Sequence, residues 1–362
     1  MFALAEYLWI DGNQPTQEIR SKARVIKTDD HQKVTLQSFP DWSYDGSSTN
    51  QASGDKSDCL LKPVNFVKDP IRGGESYLVM CEVLSPDGSP HPSNTRARLR
   101  KVLEQGGADH APWIGFEQEY TMFRNGIPLG WPATGFPAPQ GPYYCGVGSN
   151  KVVGRELVER HTKACLEAGI MIYGINAEVM LAQWEFQIGY RGNSAESADV
   201  LNVSDHLWMA RWLIARLGED LDIQVSFDAK PVKGDWNGAG NHSNFSTAEM
   251  RDKATGRKAI DEAVERLRNA HSKHIPHYGH GLADRLTGHH ETCHMNEFRA
   301  GTSDRGASIR IPAQVAVEGC GYLEDRRPAA NCDPYLVSAL LVNTIAGLDV
   351  AIFDEQKVLV NA

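Results

Sequence analysis

The sequence predicts a two-domain protein that is built from both strands and helices. The chain has 362 residues, which is more than a single domain usually contains. The segment SPDGSPHPSN (85–94) is dense in turn-forming residues and is expected to separate a domain of residues 1–94 from a domain of residues 95–362. In the first domain, short strand-like runs alternate with loops rich in serine, glycine, aspartate and proline. These runs cover residues 4–10, 23–26 and 76–83.

The second domain is predicted to contain several helices. The first begins at Asn94 or Thr95, because either residue can cap a helix. In the other helices, apolar residues recur with helical spacing, and glycine closes two of them. They are predicted at residues 154–168, 204–217, 257–273 and 334–348.

Three segments of the second domain alternate between apolar and polar residues, as strands with one buried face do. They are WIGFEQEYTMF (113–123), AQWEFQIG (182–189) and ASIRIP (307–312). Their polar faces carry glutamates and an arginine, whereas a solvated sheet surface usually carries threonine, lysine or serine. We therefore expect a sheet that curves around a charged cavity.

Composition and charge exclude several classes of function. Apolar residues make up 41% of the chain and charged residues 23%, as in ordinary globular proteins. The net charge is −9, so neither nucleic acid nor an anionic membrane surface is an expected partner. The seven cysteines include no CxxC pair, which indicates reduced thiols and a cytoplasmic protein. The longest apolar stretch, residues 335–353, is interrupted by Asn343, Thr344 and Asp349, so no membrane span is predicted.

Glu117 and Glu119 form the first notable pair of charged residues. They are two residues apart in one strand and so lie on one face, with roughly 7 Å between them. Such pairs are common on exposed strand faces, and the pair alone does not exclude that arrangement. The neighbouring Trp113, Phe116 and Tyr120 favour burial, however, and two buried carboxylates need a cation.

Glu178 and Glu185 repeat this pattern in the segment NAEVMLAQWEFQIG. Their separation of seven residues would place them on opposite faces of one regular strand. Both can face one cavity only if the chain bends around residues 180–182. Four carboxylates would suit Mg²⁺ or Mn²⁺, and not a zinc site built from cysteine and histidine.

A glycine-rich loop, KPVKGDWNGAGNHSNFS (230–246), matches neither the phosphate-binding loop nor the dinucleotide fingerprint. On its own it can be a plain structural turn. Its His242 can likewise be a structural histidine, or it can supply one nitrogen ligand to a carboxylate site. The segment WSYDGSSTNQA (42–52) by itself predicts only a turn, closed by an Asx-type hydrogen bond of Asp45.

Later segments bring arginines close in sequence to further carboxylates. Arginine forks bind carboxylates and phosphates bidentately, although any single arginine can instead form a surface ion pair. Together with the many acids, these arginines suggest a carboxylate substrate and a metal-bound nucleotide. The residues concerned are Arg285, Glu291, Arg305, Arg310, Glu324 and Arg326.

Eight of these segments, taken in order, resemble glutamine synthetase of the short, eukaryotic-like type II. The resemblance extends from about residue 42 to residue 335 and so covers most of the chain. The matching segments are YDGSST, GFEQEY, GPYYCGVG, NAEVMLAQWEFQIG, KP-x6-NGAGNH-x3-S, RLTGHHET, RGASIRIP and EDRRPAANCDP. Three positions depart from the family pattern. Tyr190 replaces a proline near the expected nucleotide site, Leu323 replaces an aromatic residue before Glu324, and Asp284 stands before Arg285 where vertebrate members have arginine.

The resemblance implies an α+β fold, with a small N-terminal β-grasp domain and a catalytic domain whose curved antiparallel sheet is flanked by helices. It also implies ATP-dependent formation of L-glutamine from L-glutamate and ammonia through γ-glutamyl phosphate, with two or three Mg²⁺ or Mn²⁺ ions per site. The family assembles as a homo-oligomer of two stacked pentameric rings, in which the loop that carries Asp45 reaches the active site of a neighbouring subunit.

The resemblance also assigns roles to individual residues. One metal site is expected at Glu117, His242 and Glu324, and the other at Glu119, Glu178 and Glu185. The substrate residues are expected to be Asn237, Gly238, Arg285 and Arg326 for glutamate, and Asp45, Tyr144 and Glu178 for ammonium. The nucleotide is expected at Trp113, Asn244 and Ser246, with Arg305 and Arg310 on the transferred phosphate. Glu291 is expected to close over the intermediate and to accept a proton, and Asp45 to deprotonate ammonium.

Two other functions fit the sequence less well. A ligase that joins glutamate to a larger amine would not need an ammonium site, so the complete YDGSS loop and Tyr144 argue against it. A non-catalytic relative would be expected to have lost metal ligands, whereas all six are present in this sequence.

Overall fold

A computed structural model describes residues 2–28, 34–289 and 292–353. Its N-terminal part forms a five-stranded sheet with the strand order β2-β1-β5-β4-β3. Strands β1 and β5 are parallel, and the other neighbours are antiparallel. All nine residues of the central β5 are buried. The strands are β1 (Phe2–Ile10), β2 (Ile19–Lys27), β3 (Trp42–Asp45), β4 (Asp58–Lys68) and β5 (Ser76–Leu84).

The three strand-like runs predicted for this domain are confirmed as parts of β1, β2 and β5. The sequence did not predict β3 or β4. Strand β3 has only four residues, and β4 contains Pro63, beside which its pairing with β5 shifts register. A proline within a strand obscures the pattern on which prediction depends.

The second sheet has nine strands and is mainly antiparallel. Its longest strand, β6, pairs with β11 on one side and with β9 on the other. The three predicted strands of this domain are confirmed as β6, β9 and β13. The strands are β6 (Trp113–Arg124), β7 (Ile127–Pro128), β8 (Ile172–Ala177), β9 (Gln183–Ile188), β10 (Gln224–Ser226), β11 (Asn241–Ser246), β12 (Ala300–Thr302), β13 (Ile309–Ile311) and β14 (Leu323–Asp325).

Helices accompany the second sheet, and the predicted ones are confirmed with small changes at their ends, except that the helix predicted at 257–273 is divided at Ala270 into two helices. Asn94, not Thr95, caps the first helix by accepting from the backbone N–H of Ala97. The third helix begins four residues earlier than predicted because Asp199 caps it. The helices are α1 (Thr95–Glu104), α2 (Arg155–Ala168), α3 (Val200–Glu219), α4 (Ala248–Arg251), α5 (Gly256–Asn269), α6 (His271–His274), α7 (Leu282–Arg285), α8 (Ala313–Glu318) and α9 (Pro334–Ile345).

A buried ion-pair network joins the N-terminal sheet to two helices of the second region. Arg96 of α1 binds Asp205 of α3 through two hydrogen bonds, of 2.8 and 3.0 Å, and Glu82 of β5 at 3.0 Å. One hydrophobic core also includes residues of both regions, for example Leu78 and Leu99. The division of the chain at residue 94 therefore stays a prediction, because the two regions share a core and charged contacts.

No helix in the described ranges is long and apolar enough to cross a membrane. All seven cysteines are free thiols.

Candidate active site

Ten of the residues predicted to form the site line one cavity of about 490 Å³. Strands β6, β9, β11, β13 and β14 each contribute a polar side chain to its wall, since alternate residues of a strand point to the same face. The structure thus brings residues together that are as far as 209 positions apart in sequence, although their individual roles stay predictions. The ten are Glu117, Glu119, Tyr144, Glu178, Glu185, His242, Arg305, Arg310, Glu324 and Arg326.

Glu117, His242 and Glu324 form the first acidic cluster. Each offers one ligand atom, and these atoms lie within 4.8 Å of one another. Strand pairing places His242 opposite Glu117, on the neighbouring strand. Its Nδ1 lies 3.3 Å from Oε2 of Glu117 and 3.5 Å from Oε1 of Glu324. One imidazole nitrogen therefore lies between two carboxylates.

Glu119, Glu178 and Glu185 form the second acidic cluster, and their ligand atoms also lie within 4.8 Å of one another. Glu119 pairs with Glu185 across β6 and β9. Glu178 follows the end of β8, and the chain then turns before β9 begins, with a positive φ of 74° at Ala182. The bend predicted around residues 180–182 is thus confirmed, and it is what allows Glu178 and Glu185 to face each other.

The electrostatics of the two clusters differ. Burial raises the pKa of Glu117, but His242, Asn244 and Arg326 outweigh this effect, so its pKa lies below the usual range. Burial and the charges of Glu117 and Glu178 hold the pKa of Glu185 well above its usual range. The second cluster therefore contains carboxylates whose repulsion is only partly compensated.

A divalent cation would relieve this repulsion. Carboxylate oxygens, with one imidazole nitrogen, are donors that Mg²⁺ and Mn²⁺ accept. Amide groups already orient several of the ligands, as Asn176 does for Glu178 at 2.8 Å and Gln187 for Glu185 at 2.6 Å. Such supporting hydrogen bonds are typical of metal sites. Both clusters thus fit sites for divalent metals.

Arginines border the first cluster on one side. Arg310 donates to Oε2 of Glu324 at 2.8 Å, and Arg326 donates to the other carboxylate oxygen. Arg326 also donates to the backbone oxygen of Arg305 at 3.2 Å. The cavity therefore offers both carboxylate ligands and guanidinium groups, as a site for a metal and an anion would require.

Asn237, Gly238 and Arg285, which were predicted to bind substrate, lie next to the cavity and not in its lining. Arg285 Nη2 lies 3.3 Å from Nε2 of His242. A Cβ atom at Gly238 would lie 2.7 Å from Cγ of Arg285, and one at Gly240 would collide with its guanidinium group. Glycine at both positions therefore lets the loop lie directly against this arginine.

A second cavity, of about 330 Å³, contains the other three predicted nucleotide residues, Trp113, Asn244 and Ser246. Trp113 packs against Tyr190 with 4.8 Å between ring centroids, and the guanidinium of Arg251 lies 4.0 Å from the Trp113 ring. Asn244 also donates to Glu117 at 2.9 Å. Asn244 thus connects the aromatic cavity at Trp113 with the acidic cavity at Glu117.

Sequence reasoning missed the support on the opposite face of β6. The buried Arg211 of α3 donates to Oε1 of Gln118 at 2.9 and 2.6 Å, and to the backbone oxygens of Ala330 and Cys332. Burial lowers the pKa of Arg211. A signal was present, because Gln118 interrupts the apolar face between Phe116 and Tyr120.

Asp45, which is predicted to bind ammonium, lies away from both cavities of its own chain. Asp45 lies at the end of β3 in the N-terminal sheet, is exposed, and does not line the cavity. It accepts hydrogen bonds from Ser47 Oγ at 2.6 Å and Ser47 N at 2.9 Å, which lower its pKa. The Asx-type turn predicted here is confirmed. Glu291 lies outside the described residues.

Two family models match most of the chain. Residues 1–86 match the model "Glutamine synthetase, beta-Grasp domain". Residues 92–269 match "Glutamine synthetase, catalytic domain".

Curated relatives match nearly the whole chain. A glutamine synthetase of Streptomyces viridochromogenes is 55% identical over 342 residues, which covers 94% of this chain and 96% of the relative. A chloroplastic glutamine synthetase of Chlamydomonas reinhardtii is 52% identical, and the match covers 94% of this chain and 90% of the relative. A glutamine synthetase of Frankia alni is 53% identical, and the match covers 94% of this chain and 91% of the relative.

The fold is also similar to a solved structure. A cryo-electron microscopy structure of Plasmodium falciparum glutamine synthetase aligns with a TM-score of 0.74 at 16% identity. The match covers 95% of this chain and 72% of that one. At this identity the likeness concerns the fold, and it agrees with the predicted α+β architecture.

Replacing Glu185 by glutamine should affect the metal-free and metal-bound protein in opposite directions. The change removes one buried like charge while leaving an oxygen that can still accept from Gln187, so the Tm of the metal-free protein should rise. Loss of a charged ligand should weaken Mn²⁺ binding by at least about tenfold. Thermal unfolding and isothermal titration with Mn²⁺ measure both effects.

The exposed Glu159 of α2 offers a matched control, because Glu159→Gln removes the same charge at a position that belongs to neither cluster and does not line the acidic cavity. Neither the Tm nor Mn²⁺ binding should change in that variant. A lower metal-free Tm in Glu185→Gln, or unchanged Mn²⁺ affinity, would contradict the assignment of Glu185 to a metal cluster.

Proposed function

The chain belongs to the glutamine synthetase family and forms L-glutamine from L-glutamate and ammonia, and we propose that the residues of its two adjoining cavities divide this reaction as follows. The observation that carries the proposal is the presence of two buried acidic clusters beside arginines on one face of a single sheet. The reaction assimilates ammonia nitrogen into an amino acid.

ATP is needed because a carboxylate is a poor acceptor for an amine. The γ-carboxylate of glutamate attacks the γ-phosphorus of ATP, the bond from that phosphorus to the bridging oxygen breaks, and ADP leaves. Ammonia then attacks the carbonyl carbon of γ-glutamyl phosphate, and phosphate leaves with the bond electrons. Phosphoryl transfer of this kind depends mainly on positioning and charge stabilisation.

The nucleotide is proposed to lie along β6, with its base in the aromatic cavity at Trp113 and its phosphates toward the acidic cavity. On the paired strand β11, Ser246 lies opposite Trp113, and Asn244 lies opposite Gly115, closer to Glu117. Support comes from Asn244, which contributes to the wall of one cavity and contacts Glu117 of the other. Arg305 and Arg310 are proposed to stabilise the charge of the transferred phosphoryl group.

The family uses divalent metals, and the acidic clusters of this chain fit them. Glu117, His242 and Glu324 would hold one ion, and Glu119, Glu178 and Glu185 would hold another, with two or three Mg²⁺ or Mn²⁺ ions in all. When bound, such ions supply positive charge that orients the phosphates and offsets their negative charge.

The protein residues bind and orient glutamate. Arg285 and Arg326 are proposed to hold its carboxylates through guanidinium forks, together with Asn237 and the backbone at Gly238. In support, Arg285 donates to the backbone oxygen of Arg326 at 3.2 Å, and Arg326 lines the acidic cavity.

The ammonium site is proposed to consist of Glu178, Tyr144 and Asp45, with Asp45 as the base that releases ammonia. Glu291 is proposed to shield the intermediate and to accept a proton as the amide forms.

Because Asp45 is exposed in the N-terminal sheet and does not line its own cavity, we propose that it completes the site of a neighbouring subunit. The assembly would be two stacked pentameric rings. The free cysteines support a cytoplasmic location.

The direct test is glutamine formation by the purified protein, with ATP, glutamate, ammonium or metal omitted in turn. Each omission should abolish product, and phosphate release should equal glutamine formed. Glutamine formation in the absence of ATP, or a faster reaction with a larger amine such as methylamine or ethylamine than with ammonium, would contradict the proposed function.

Mixing two inactive variants should restore activity if each site is built from two chains. Asp45→Ala removes the ammonium residue, and Glu117→Ala removes a metal ligand. In a random equal mixture, roughly a quarter of sites would combine an intact loop with an intact metal cluster, because one head-to-tail contact repeats around a closed ring. Glutamine formation after subunit exchange measures this recovery.

Subunit exchange itself needs a separate control, for which mass spectrometry of differently labelled subunits is suitable. The Asp45→Ala protein alone, taken through the same exchange procedure, should stay inactive. Demonstrated exchange without recovered activity would mean that Asp45 acts in its own chain or not at all.

A further inference from the structure

Gln183 connects the second acidic cluster to the loop that carries Asn237. Its Nε2 donates to the backbone oxygen of Gly238 at 2.9 Å and lies 3.4 Å from Oε2 of Glu119. Its Oε1 accepts from Nδ2 of Asn237 at 3.0 Å. Gln183, Asn237 and Glu119 are 1%, 1% and 2% exposed, so water cannot replace these contacts easily.

The chemistry of the partners fixes the orientation of both amides. A backbone carbonyl and a carboxylate can only accept, so the side of Gln183 that faces Gly238 and Glu119 must be its NH₂ group. The carbonyl side of Gln183 then faces Asn237, which must present its own NH₂ group there. Among the described residues, Oδ1 of Asn237 accepts no hydrogen bond from the protein.

Glu119 itself is attached to the same loop at a second point. Its Oε2 accepts from the backbone N–H of Gly240 at 2.6 Å. One carboxylate of the second cluster thus contacts the loop directly through Gly240 and indirectly through Gln183. A shift of Glu119 when a cation binds would change the position of the loop at both points.

We propose that Gln183 is a positioning residue that couples metal binding at the second acidic cluster to glutamate binding at Asn237. This inference rests on the proposed function, because that function places glutamate beside Asn237. Gln183 does not line the acidic cavity, so its proposed role is to position other residues. It holds the Asn237 amide in one orientation and transmits the position of Glu119 to the loop.

Coupling of this kind must be reciprocal. Glutamate should therefore strengthen Mn²⁺ binding to the wild-type protein, and Mn²⁺ should strengthen glutamate binding by the same factor. Gln183→Met keeps the length of the side chain but removes all three polar contacts. In that variant the mutual strengthening should disappear.

The kinetic consequence should be selective. Gln183→Met is expected to raise the KM for glutamate about tenfold, an effect of about 1.4 kcal/mol, and to change the KM for ATP less than twofold. Asn237→Ala should have a similar effect, and the double variant should be no worse than either single variant, because both changes break the same connection.

Gln187→Met provides the matched control. Gln187 lies on the same strand and donates to Glu185 of the same cluster at 2.6 Å, but it has no hydrogen bond to the loop. This variant should weaken Mn²⁺ binding and still show strengthening by glutamate. Thermal unfolding should establish that all variants are folded.

Isothermal titration of glutamate, with and without saturating Mn²⁺, tests the inference without requiring turnover. Equal effects of Gln183→Met on both KM values, additive effects with Asn237→Ala, or unchanged coupling would overturn it. Absence of glutamine formation by the wild-type protein would instead overturn the proposed function, so the two failures are distinguishable.

Discussion

Repulsion between buried carboxylates is the constraint on which this structure depends. Five glutamates and one histidine from four strands and one turn point into a single cavity, and three of the glutamates lie within 4.8 Å of one another without a histidine among them. Such a cluster costs free energy when the chain folds, unless protons or cations reduce its charge. The raised pKa of Glu185 is the direct sign of this cost. A site that was to bind divalent cations beside a polyanionic nucleotide would need such a concentration of negative charge.

The protein holds these carboxylates in place from the opposite face of the same strands. Behind β6, Arg211 binds Gln118 and two backbone carbonyls. Behind β14, Asp325 forms a buried ion pair with Arg327 at 2.7 Å and accepts from the hydroxyl of Tyr278 at 2.8 Å. Each glutamate of the acidic clusters on these two strands thus has a sequence neighbour that is hydrogen-bonded on the opposite face. The ligands can stay close together because the strands that carry them cannot easily separate.

The sequence predicted the site best where spacing alone determines geometry. Glu117 and Glu119 share a face because a strand has a period of two, and the odd separation of Glu178 and Glu185 required the bend that the structure contains at Ala182. The division of six ligands into two clusters came only from family resemblance, since it depends on the pairing of β6 with β9 and β11. The role of Gln183 was not visible, because its partners lie on a loop more than fifty residues away. Asp45 shows a second limit of prediction from sequence, because the residues of one chain do not reveal a contact with the cavity of a neighbouring subunit.

The most direct test of this account is anomalous X-ray diffraction from crystals of the protein grown with Mn²⁺. The account predicts two separate anomalous peaks in each subunit, one bounded by Glu117, His242 and Glu324 and the other by Glu119, Glu178 and Glu185. A subunit saturated with Mn²⁺ that shows no peak at either cluster, or peaks only elsewhere, would contradict the claim that these carboxylates are gathered to bind metal.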